Sequence, residues 1–392
     1  MNAPRTIIHL DLDAFFCAVE EKRDSSLQGK AFAVGGNPNQ RGVVASCSYP
    51  ARQFGVRSAM PMAQAVKVCP NLSVVSPNHS AYQAASRQVM GILHALTDQV
   101  EQLSIDEAFL DISGIETAPR EVGEKLQRQI LEELGLPCSL GIASNKLVAK
   151  TATDVGKISS PGDSPPQAIT VIPPGQEAQF LAPLPVDMLY GVGPKTKERL
   201  HQLGMQTIGD IAKYPIIELT QTLGKHGYDL SKRAQGIDNR PIVTEHAVKS
   251  ISNEMTFGQD KHRQGEILQE LRHLSEKVAL RLQKKGLRGR TIQIKVRWAD
   301  FTTLTRQNTL PKGVNDYATI SQQAEVLFQQ VWVTGQAVRL VGVGVSNLDQ
   351  EIRQLNLWDP RVKKDQQLQE TLHKLREKFG EGIISEGLSK RG

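Results

Sequence analysis

The sequence has few features of an exported, membrane-bound or transition-metal protein. Its four cysteines are scattered without the spacing of metal ligands, a usage typical of a reducing compartment, so we expect a cytoplasmic protein. The first residues lead directly into a strand-like run, and we predict no signal peptide. No apolar run is long enough to cross a bilayer, and we expect no membrane partner.

The net charge is modest for the whole chain but uneven along it. The formal charge is +6 over 392 residues, a length that allows two to four compact units. Residues 245–348 contain fifteen Lys and Arg against nine Asp and Glu, and residues 277–298 contain eight basic residues and no acidic one. This distribution predicts that the C-terminal half binds a polyanion.

Two short acidic stretches, about ninety residues apart, place carboxylates inside apolar runs that otherwise predict buried strands. They are IIHLDLDAFF (residues 7–16) and SIDEAFLD (residues 104–111). Buried charge needs compensation, and a bound cation is the usual form of it. Hard oxygen ligands favour Mg²⁺ or Mn²⁺ over Zn²⁺. If the two strands meet, Asp11, Asp106 and Glu107 would form a two-metal site for phosphoryl or nucleotidyl transfer.

The geometry of the second acidic pair sets a condition on this hypothesis. In an extended strand Asp11 and Asp13 share a face, whereas Asp106 and Glu107 point to opposite faces. Both members of the second pair reach one metal cluster only if the chain bends there, as at the tip of a hairpin. A carboxylate pair at a strand end is also an ordinary edge or turn feature. Two such pairs, both flanked by aromatic residues, favour metal binding.

Basic and hydroxyl side chains follow the predicted strands at two further places. Tyr49 and Arg52 lie on a helical turn after a strand of small and hydroxyl residues, which is the chemistry of a phosphate-binding corner. The predicted helix over 145–157 carries Lys146, Lys150 and Lys157, which would neutralise a triphosphate beside the acidic strands. The alternative for the corner is a surface arginine and a half-buried tyrosine, and the alternative for the helix is a solvated lysine face.

The order of the elements indicates an α+β sheet domain whose strands converge on the carboxylates. Strands are predicted over 5–16, 30–35, 104–112, 138–143 and 168–172, and helices over 80–97, 121–134 and 145–157. Residues 175–240 are predicted to be helical, with Gly191-Val-Gly193-Pro194 before a helix. This helix-hairpin-helix pattern presents free backbone N–H groups at a positive helix terminus and grips the DNA backbone without reading bases.

The C-terminal half follows a linker predicted over 241–249. Residues 250–348 are predicted to contain strands over 291–297 and 338–345 and helices over 266–285 and 316–332. Strand alternation places two sets of side chains on opposite faces, the apolar Ile292, Ile294 and Val296 and the polar Thr291, Gln293, Lys295 and Arg297. We interpret the polar face as a surface for a phosphate backbone, with an affinity that falls with salt.

Together and in this order, these motifs resemble the Y-family DNA polymerases, within them the bacterial DNA polymerase IV group. The resemblance spans residues 5 to about 348. The motifs that carry it are HLDLDAFF (9–16), SCSYPARQFG (46–55), VRSAMP (56–61), LSIDEAFLD (103–111), NKLVAK (145–150) and GVGP (191–194).

The resemblance implies a right-hand polymerase fold, which is α+β and multidomain. Its parts are a ferredoxin-like palm (1–20 and 77–174), small fingers (21–76), a helical thumb with the helix-hairpin-helix (175–240), the linker (241–249), an α/β little finger that binds DNA (250–348) and a tail (349–392). In the tail, Gln354, Leu355, Leu357 and Trp358 are similar to the family's sliding-clamp peptide.

The resemblance also implies a role for each site residue. Asp11, Asp106 and Glu107, the catalytic carboxylates, would bind two Mg²⁺ ions with the help of the Leu12 carbonyl, Mn²⁺ being the alternative. Asp13 has no ligand role and would support the others. The predicted nucleotide-binding residues are Phe15, Phe16, Ser46, Tyr49, Arg52 and Lys157, and the predicted DNA-binding residues are Gly191, Gly193, Lys195, Arg290, Lys295 and Arg297. Phe16 would lie beneath the sugar and exclude a 2′-hydroxyl.

The implied activity is template-directed addition of deoxynucleotides to a primer 3′-hydroxyl, in low-fidelity translesion synthesis on damaged DNA without a proofreading exonuclease. The expected partners are primer–template DNA, dNTPs and a sliding clamp, and we expect a monomer. Two other classes of protein remain open. A nucleotide cyclase could use a similar acidic sheet, but it would not need the Gly-Val-Gly turn or the basic C-terminal sheet. A DNA-binding scaffold would explain the charge but not the buried carboxylates.

Overall fold

The computed structural model describes residues 5–160 and 162–350. Within these residues no helix is both long and apolar enough to cross a membrane. The strands are β1 (Ile7–Leu12), β2 (Phe32–Gly35), β3 (Val44–Cys47), β4 (Ser73–Val75), β5 (Val100–Gln102), β6 (Glu107–Asp111), β7 (Cys138–Ala143), β8 (Ile169–Val171), β9 (Ser250–Lys261), β10 (Leu287–Trp298), β11 (Thr303–Val314) and β12 (Val338–Gln350).

The α-helices divide into those that accompany the N-terminal sheets and those of the C-terminal half. They are α1 (Phe15–Arg23), α2 (Tyr49–Gln53), α3 (Met62–Val68), α4 (His79–Leu96), α5 (Pro119–Leu134), α6 (Lys146–Ile158), α7 (Glu177–Leu181), α8 (Pro194–Gln202), α9 (Ile208–Lys213), α10 (Ile216–Leu223), α11 (Lys225–Ala234), α12 (Gln264–Lys284) and α13 (Tyr317–Gln329). The helices predicted over 80–97, 121–134 and 145–157 are α4, α5 and α6, within two residues at each end.

The first sheet has the strand order β5-β6-β1-β7-β8, with β1 in the middle and antiparallel to both neighbours. Ile8 and Leu10 on one face of β1 enter the apolar core that α4 and α5 cover. His9 and Asp11 lie on the other face, against which α6 packs. The two faces of this strand therefore have different chemistry, as the alternation of residues predicts.

Two predicted strand boundaries on this sheet are wrong. The strand predicted over 5–16 ends at Leu12, because Ala14 adopts a left-handed backbone conformation (φ 45°, ψ 44°) from which α1 begins. The strand predicted over 104–112 begins only at Glu107. The residues before it form the turn from β5, closed by a 3.0 Å hydrogen bond from the Leu103 amide to the Glu107 carbonyl. The chain therefore bends at the second acidic pair.

A smaller sheet with the order β3-β2-β4 packs with α2 and α3 around its own apolar cluster. Helices α7 to α11 form a compact helical region, and its core continues beneath α6. The third sheet, with the order β11-β10-β12-β9, is covered on one face by α12 and α13, and its core contains only residues from 251–345 among those described. The fold is therefore α+β and multidomain, as predicted.

Candidate active site

Asp11 and Glu107 lie directly opposite each other on neighbouring antiparallel strands, so their side chains share a face of the first sheet. Ser139 of β7 is the partner of Asp11 on its other side. Asp106 lies in the turn just before β6, and its carbonyl accepts a 3.0 Å hydrogen bond from the Leu12 amide. The structure thus brings the three predicted carboxylates and Leu12 to the same end of two paired strands.

Ser104 organises the turn that carries Asp106. Its hydroxyl donates a short hydrogen bond to a carboxylate oxygen of Asp106 and accepts from the amides of Asp106 (3.2 Å) and Glu107 (3.0 Å). One hydroxyl group therefore holds the backbone of both acidic residues and the side chain of Asp106.

Lys157 bridges the two aspartates of the first acidic stretch. Its Nζ lies 2.6 Å from Oδ1 of Asp11 and 3.0 Å from Oδ1 of Asp13. Asp13 is wholly buried, and it also accepts hydrogen bonds from the Ser139 hydroxyl (2.9 and 3.0 Å) and the Gln167 amide (3.0 Å). Asp13 therefore joins the start of β8 to the acidic end of β1.

Burial raises the pKa of Asp11 to about 7; Lys157 opposes this rise, and the neighbouring carboxylates of Glu107 and Asp106 add to it. Burial also acts to lower the pKa of Lys157, but Asp11 and Asp13 outweigh it and raise that pKa above its usual value. The ammonium group is therefore charged, and Asp11 depends on a nearby cation to remain ionised.

Glu107 is held in the same way by a second lysine of α6. Lys150 Nζ lies 2.9 and 3.0 Å from the two carboxylate oxygens. Behind it, His9 is fully buried, with Nδ1 2.9 Å from the Thr153 hydroxyl and Nε2 3.9 Å from a Glu107 oxygen. Burial lowers the pKa of His9 well below its ordinary value, and the nearby lysine charges add to this, so the ring is neutral.

The donor set fits a divalent metal in its chemistry. The carboxylates of Asp11 and Glu107 share one face, and each already has a lysine ammonium group beside it. Among the described residues, no three His, Cys, Asp or Glu side chains stand in ready metal-ligand geometry. Asp11 and Glu107 are directed instead towards Lys157 and Lys150, so binding of a metal ion requires these ammonium groups to move.

Phe16 is immobilised by an aromatic cluster. Its ring stacks on Tyr82 with centroids 4.1 Å apart and planes 13° apart, and His79 meets it edge-on at 6.2 Å. The Tyr82 hydroxyl donates a 2.6 Å hydrogen bond to the buried Glu20. Phe15, the other predicted nucleotide-binding phenylalanine, is buried in the core. A ring held on two sides is a rigid surface.

Tyr49 and Arg52 form the predicted corner at the start of α2. The guanidinium carbon of Arg52 lies 4.6 Å from the Tyr49 ring centroid, a cation–π contact, and Arg52 Nε donates to the Cys47 carbonyl at 3.3 Å. Burial and the carboxylate of Asp13 raise the pKa of Tyr49, so its hydroxyl stays protonated and can donate a hydrogen bond. The nearby Ser46 is buried.

A cleft of about 460 Å³ connects the lysines of α6 with the helix-hairpin-helix turn. Its lining includes Lys150, Asp154 and Lys157 on one side and Tyr190 and Gly191 on the other. Burial raises the pKa of Asp154. The cleft lies beside the acidic strands and carries both charge signs.

The turn itself has the predicted form. Gly191 has a φ of +101°, and a Cβ there would lie 2.6 Å from the Arg233 guanidinium, which itself donates to the Tyr190 carbonyl at 3.1 Å. Gly193 is the N-cap of α8, with Pro194 as its first residue and Lys195 exposed beside it. The backbone N–H groups at this helix start are thus available to an anion.

The predicted polar face of β10 is the open face of the third sheet, but its cations have partners. Lys295 reaches Glu254 at 2.8 Å, and Arg297 donates to the Thr303 hydroxyl at 2.8 Å. The predicted DNA-binding residue Arg290 is exposed at the irregularity between Gly289 and Thr291 and lies 3.7 Å from Asp349. The predicted clamp residues Gln354, Leu355, Leu357 and Trp358 lie outside the described residues.

Three protein-family models match the chain. The impB/mucB/samB family matches residues 10–154, the C-terminal domain of that family matches residues 248–357, and a thumb domain described for DNA polymerase iota matches residues 187–238. A DNA polymerase IV of Dehalococcoides mccartyi is 39% identical over 391 residues, which cover 99% of this chain and 98% of the relative. The chain belongs to the Y family of DNA polymerases.

Other Y-family proteins agree with this assignment. A DNA polymerase IV of Bacillus anthracis is 38% identical over 394 residues, covering 98% of this chain and 93% of that one. A solved Y-family chimera of Dbh and Dpo4 superposes with a TM-score of 0.76 at 27% identity, over 88% of this chain and 99% of its own. An insertion ternary complex of Dbh DNA polymerase superposes with a TM-score of 0.63 at 27% identity, over 88% and 99%. This Y-family enzyme is a DNA-directed DNA polymerase of the DNA polymerase IV translesion group.

Several residues of the Y-family site could not be found from the sequence. Ser104 acts through hydrogen bonds that only the folded turn creates. Tyr82 lies in the middle of α4, where its spacing indicates an ordinary core residue, and only the packed structure places it against Phe16. His9 stands between apolar residues in β1, and its contact with Thr153 joins positions 144 residues apart.

Proposed function

We propose that this polymerase adds deoxynucleotides to a primer 3′-hydroxyl by two-metal-ion nucleotidyl transfer, copying damaged templates with low fidelity and without a proofreading nuclease. One observation carries the proposal. Asp11 and Glu107 are cross-strand partners, and Asp106 lies at the adjoining turn, so three carboxylate residues lie where two strands end. A relative solved as an insertion ternary complex supports DNA and nucleotide as partners of this chain.

The proposed division of labour starts from the acidic cluster. Asp11, Asp106 and Glu107, with the Leu12 carbonyl, would hold divalent ions, Mg²⁺ by preference. These ions supply activation of the primer hydroxyl and stabilisation of charge on the leaving pyrophosphate. Ser104 keeps the acidic turn fixed through its hydrogen bonds to the backbone.

The nucleotide is proposed to lie between the acidic cluster and the corner at Tyr49 and Arg52. The Tyr49 hydroxyl and the Arg52 guanidinium donate to the triphosphate. Phe16 presents a face that Tyr82 and His79 hold in place, so there is neither room nor a hydrogen-bond partner for a 2′-hydroxyl. A rigid ring excludes a 2′-hydroxyl better than a mobile ring does, because it cannot rotate away from the sugar.

Two basic elements are proposed to hold the primer–template duplex by its phosphates. The N–H groups at the start of α8 contact the backbone near the cleft, and the open face of the third sheet follows it further away. The proposed parts are the palm (1–20 and 77–174), the fingers (21–76), the thumb (175–240), a linker (241–249) and the little finger (250–348). The tail beyond residue 348 carries the proposed sliding-clamp peptide. A cytoplasmic monomer is proposed on the same family grounds.

Primer extension with wild-type enzyme, Asp106→Asn and Phe16→Ala tests the proposal in one experiment. Wild type should extend a primer with dNTPs only when a divalent ion is present. Asp106→Asn should lose at least about a hundredfold in rate, the range for removing one stabiliser of developing charge. Phe16→Ala should keep dNTP extension and gain rNTP extension.

Asp111→Asn is the matched control because Asp111 lies on the same strand, beyond the site. It should retain the wild-type rate. Extension at the parental rate by Asp106→Asn would refute the assignment, and cyclic nucleotide formed without DNA would favour the cyclase instead.

A further inference from the structure

Lys157 is shared between two carboxylates with very different surroundings. Asp13 has no exposed side-chain surface and also accepts from the Ser139 hydroxyl, which is shared between its two oxygens, and from the Gln167 amide. Asp11 is 17% exposed on its side chain and borders the open end of the strands. The contact with Asp13 is therefore a permanent anchor, whereas the contact with Asp11 can be exchanged.

An ammonium group suits this double contact. It has three rotatable donors on a flexible four-carbon stem, so it can release one acceptor and keep another. Lys157 lies in the last turn of α6 and also lines the cleft towards Tyr190. A lysine freed from Asp11 but still held by Asp13 would therefore turn its remaining donors into the cleft.

We propose that Lys157 is an exchangeable counter-ion: it neutralises Asp11 in the free enzyme, and a divalent ion that takes over Asp11 releases it to bind the nucleotide triphosphate. The inference rests on the two-metal function proposed above. It assigns Asp13 the role of a positioning residue, which keeps the released ammonium at the site. Divalent-ion binding and nucleotide binding are then coupled through one side chain.

The coupling has a fixed sign. Two cations compete for the Asp11 carboxylate, so Lys157 weakens divalent-ion binding in the absence of nucleotide. Once released, the same charge attracts the triphosphate, so Lys157 strengthens nucleotide binding only when a divalent ion is present. Thermodynamic reciprocity requires that each ligand then favours the other. A fixed structural ion pair would also oppose divalent-ion binding, but it would not make the contribution of Lys157 to nucleotide binding depend on the divalent ion.

The first measurement is Mn²⁺ binding to the whole enzyme without DNA or nucleotide, followed by the electron paramagnetic resonance signal of free Mn²⁺. Lys157→Met should bind Mn²⁺ about tenfold more tightly than wild type, a typical coupling magnitude. Lys157→Gln, which keeps a polar end between the aspartates, should change in the same direction and serves if the Met variant is poorly folded.

The second measurement is dATP binding by equilibrium dialysis, in EDTA and in Ca²⁺, which does not require turnover. In EDTA, wild type and Lys157→Gln should bind dATP equally weakly, because Lys157 is held on Asp11. In Ca²⁺, wild type should bind about tenfold more tightly than the variant. A difference of the same size in both conditions would overturn the switch and leave a constant phosphate contact.

Lys197→Met is the matched control. It removes a lysine that is also paired with an aspartate at 2.8 Å, Asp187 beside the same cleft, but it does not touch the acidic strands. It should leave Mn²⁺ affinity unchanged. Unchanged or weaker Mn²⁺ binding by both Lys157 variants, in an enzyme that still extends primers, overturns this inference alone. Wild-type enzyme that neither binds Mn²⁺ nor extends primers overturns the proposed function itself.

Discussion

At the scale of single residues, the missing side chain of Gly141 decides how closely α6 lies on the acidic face of the sheet. Gly141 is the partner of His9 across β1 and β7. A Cβ there would lie 2.0 Å from the Ala149 carbonyl oxygen and 2.5 Å from the Thr153 amide nitrogen, both backbone atoms that cannot rotate away. The position of Lys150 and Lys157 over the carboxylates thus depends on this one glycine.

Gly141→Ala should therefore destabilise the protein by about 3 kcal/mol, the upper range for overpacking a core. Gly91→Ala is the control, because Gly91 lies in α4 with nothing within 4 Å of the new methyl group. It should stabilise the protein by about 0.5–1 kcal/mol through helix propensity. Thermal melting of both variants checks the prediction, and equal melting temperatures would contradict the close packing of α6.

For single residues, the sequence predicts those whose chemistry is unusual for their surroundings in the chain. It misses those whose role depends on a distant partner. Asp11, Asp106 and Glu107 are detectable because a carboxylate inside an apolar run is costly to bury unless a cation or hydrogen-bond donors compensate its charge. Lys157 is detectable as a charge, but the sequence cannot show that it lies on Asp11 rather than in the cleft. That pairing joins residues 146 positions apart, and only the packing of α6 on β1 creates it.

At the scale of elements, long apolar patterns are predictable and polar edge strands are not. The sequence predicts β10 and β12 because apolar residues alternate along them, but it does not predict β9 and β11. Those two strands are the edges of the third sheet, and most of their residues are exposed or half-buried, so they carry no hydrophobic period. The sequence indicates the bend at Asp106 only as a condition for metal binding, because β5, the other strand of the hairpin, is too short to show a hydrophobic period.

The open face of the third sheet gives an element-scale prediction. Lys295 is the partner of Gly342, whose missing side chain lets the ammonium group pass across β12 to Glu254 on the edge strand. Because Glu254 neutralises Lys295, this lysine is not free to contact a phosphate backbone on the open face. Glu254→Gln should increase affinity for duplex DNA, and the slope of log affinity against log salt should steepen by up to about 0.9, the value for one further phosphate contact.

Glu325→Gln provides the control because Glu325 pairs with Arg272 on the helices that cover the opposite face. That variant also removes one negative charge, so any general effect of net charge appears in both proteins. Fluorescence anisotropy over a salt series measures the two slopes. The same slope for both variants would mean that the open sheet face does not follow the DNA backbone.

At the scale of the whole molecule, the loop between β2 and β3 of the smaller sheet contacts the edge strand β9 of the third sheet. Arg41, in the loop between β2 and β3, donates to an oxygen of Asp260 at 2.6 Å and to the Phe257 carbonyl at 3.1 Å, both on β9. Gln40 lies against Gly258 beside them. Arg41 and Asp260 are 219 positions apart, so this ion pair links the N-terminal region to the C-terminal sheet.

We expect this contact between the loop and β9 to break readily, because few residues form it. An ion pair near the surface contributes about 1 kcal/mol at most, which changes a two-state population by about fivefold. Arg41→Glu should therefore shift the enzyme towards an extended form, with a larger radius of gyration in small-angle X-ray scattering, because it places two acids together. The double variant Arg41→Glu with Asp260→Arg should restore the compact form by reversing the pair. If the single variant scatters like wild type at low salt, contacts other than this ion pair hold the C-terminal sheet in place. The linker over 241–249 then becomes the element that fixes the position of the sheet, because its Val243 amide donates to the buried Glu101 at 2.8 Å.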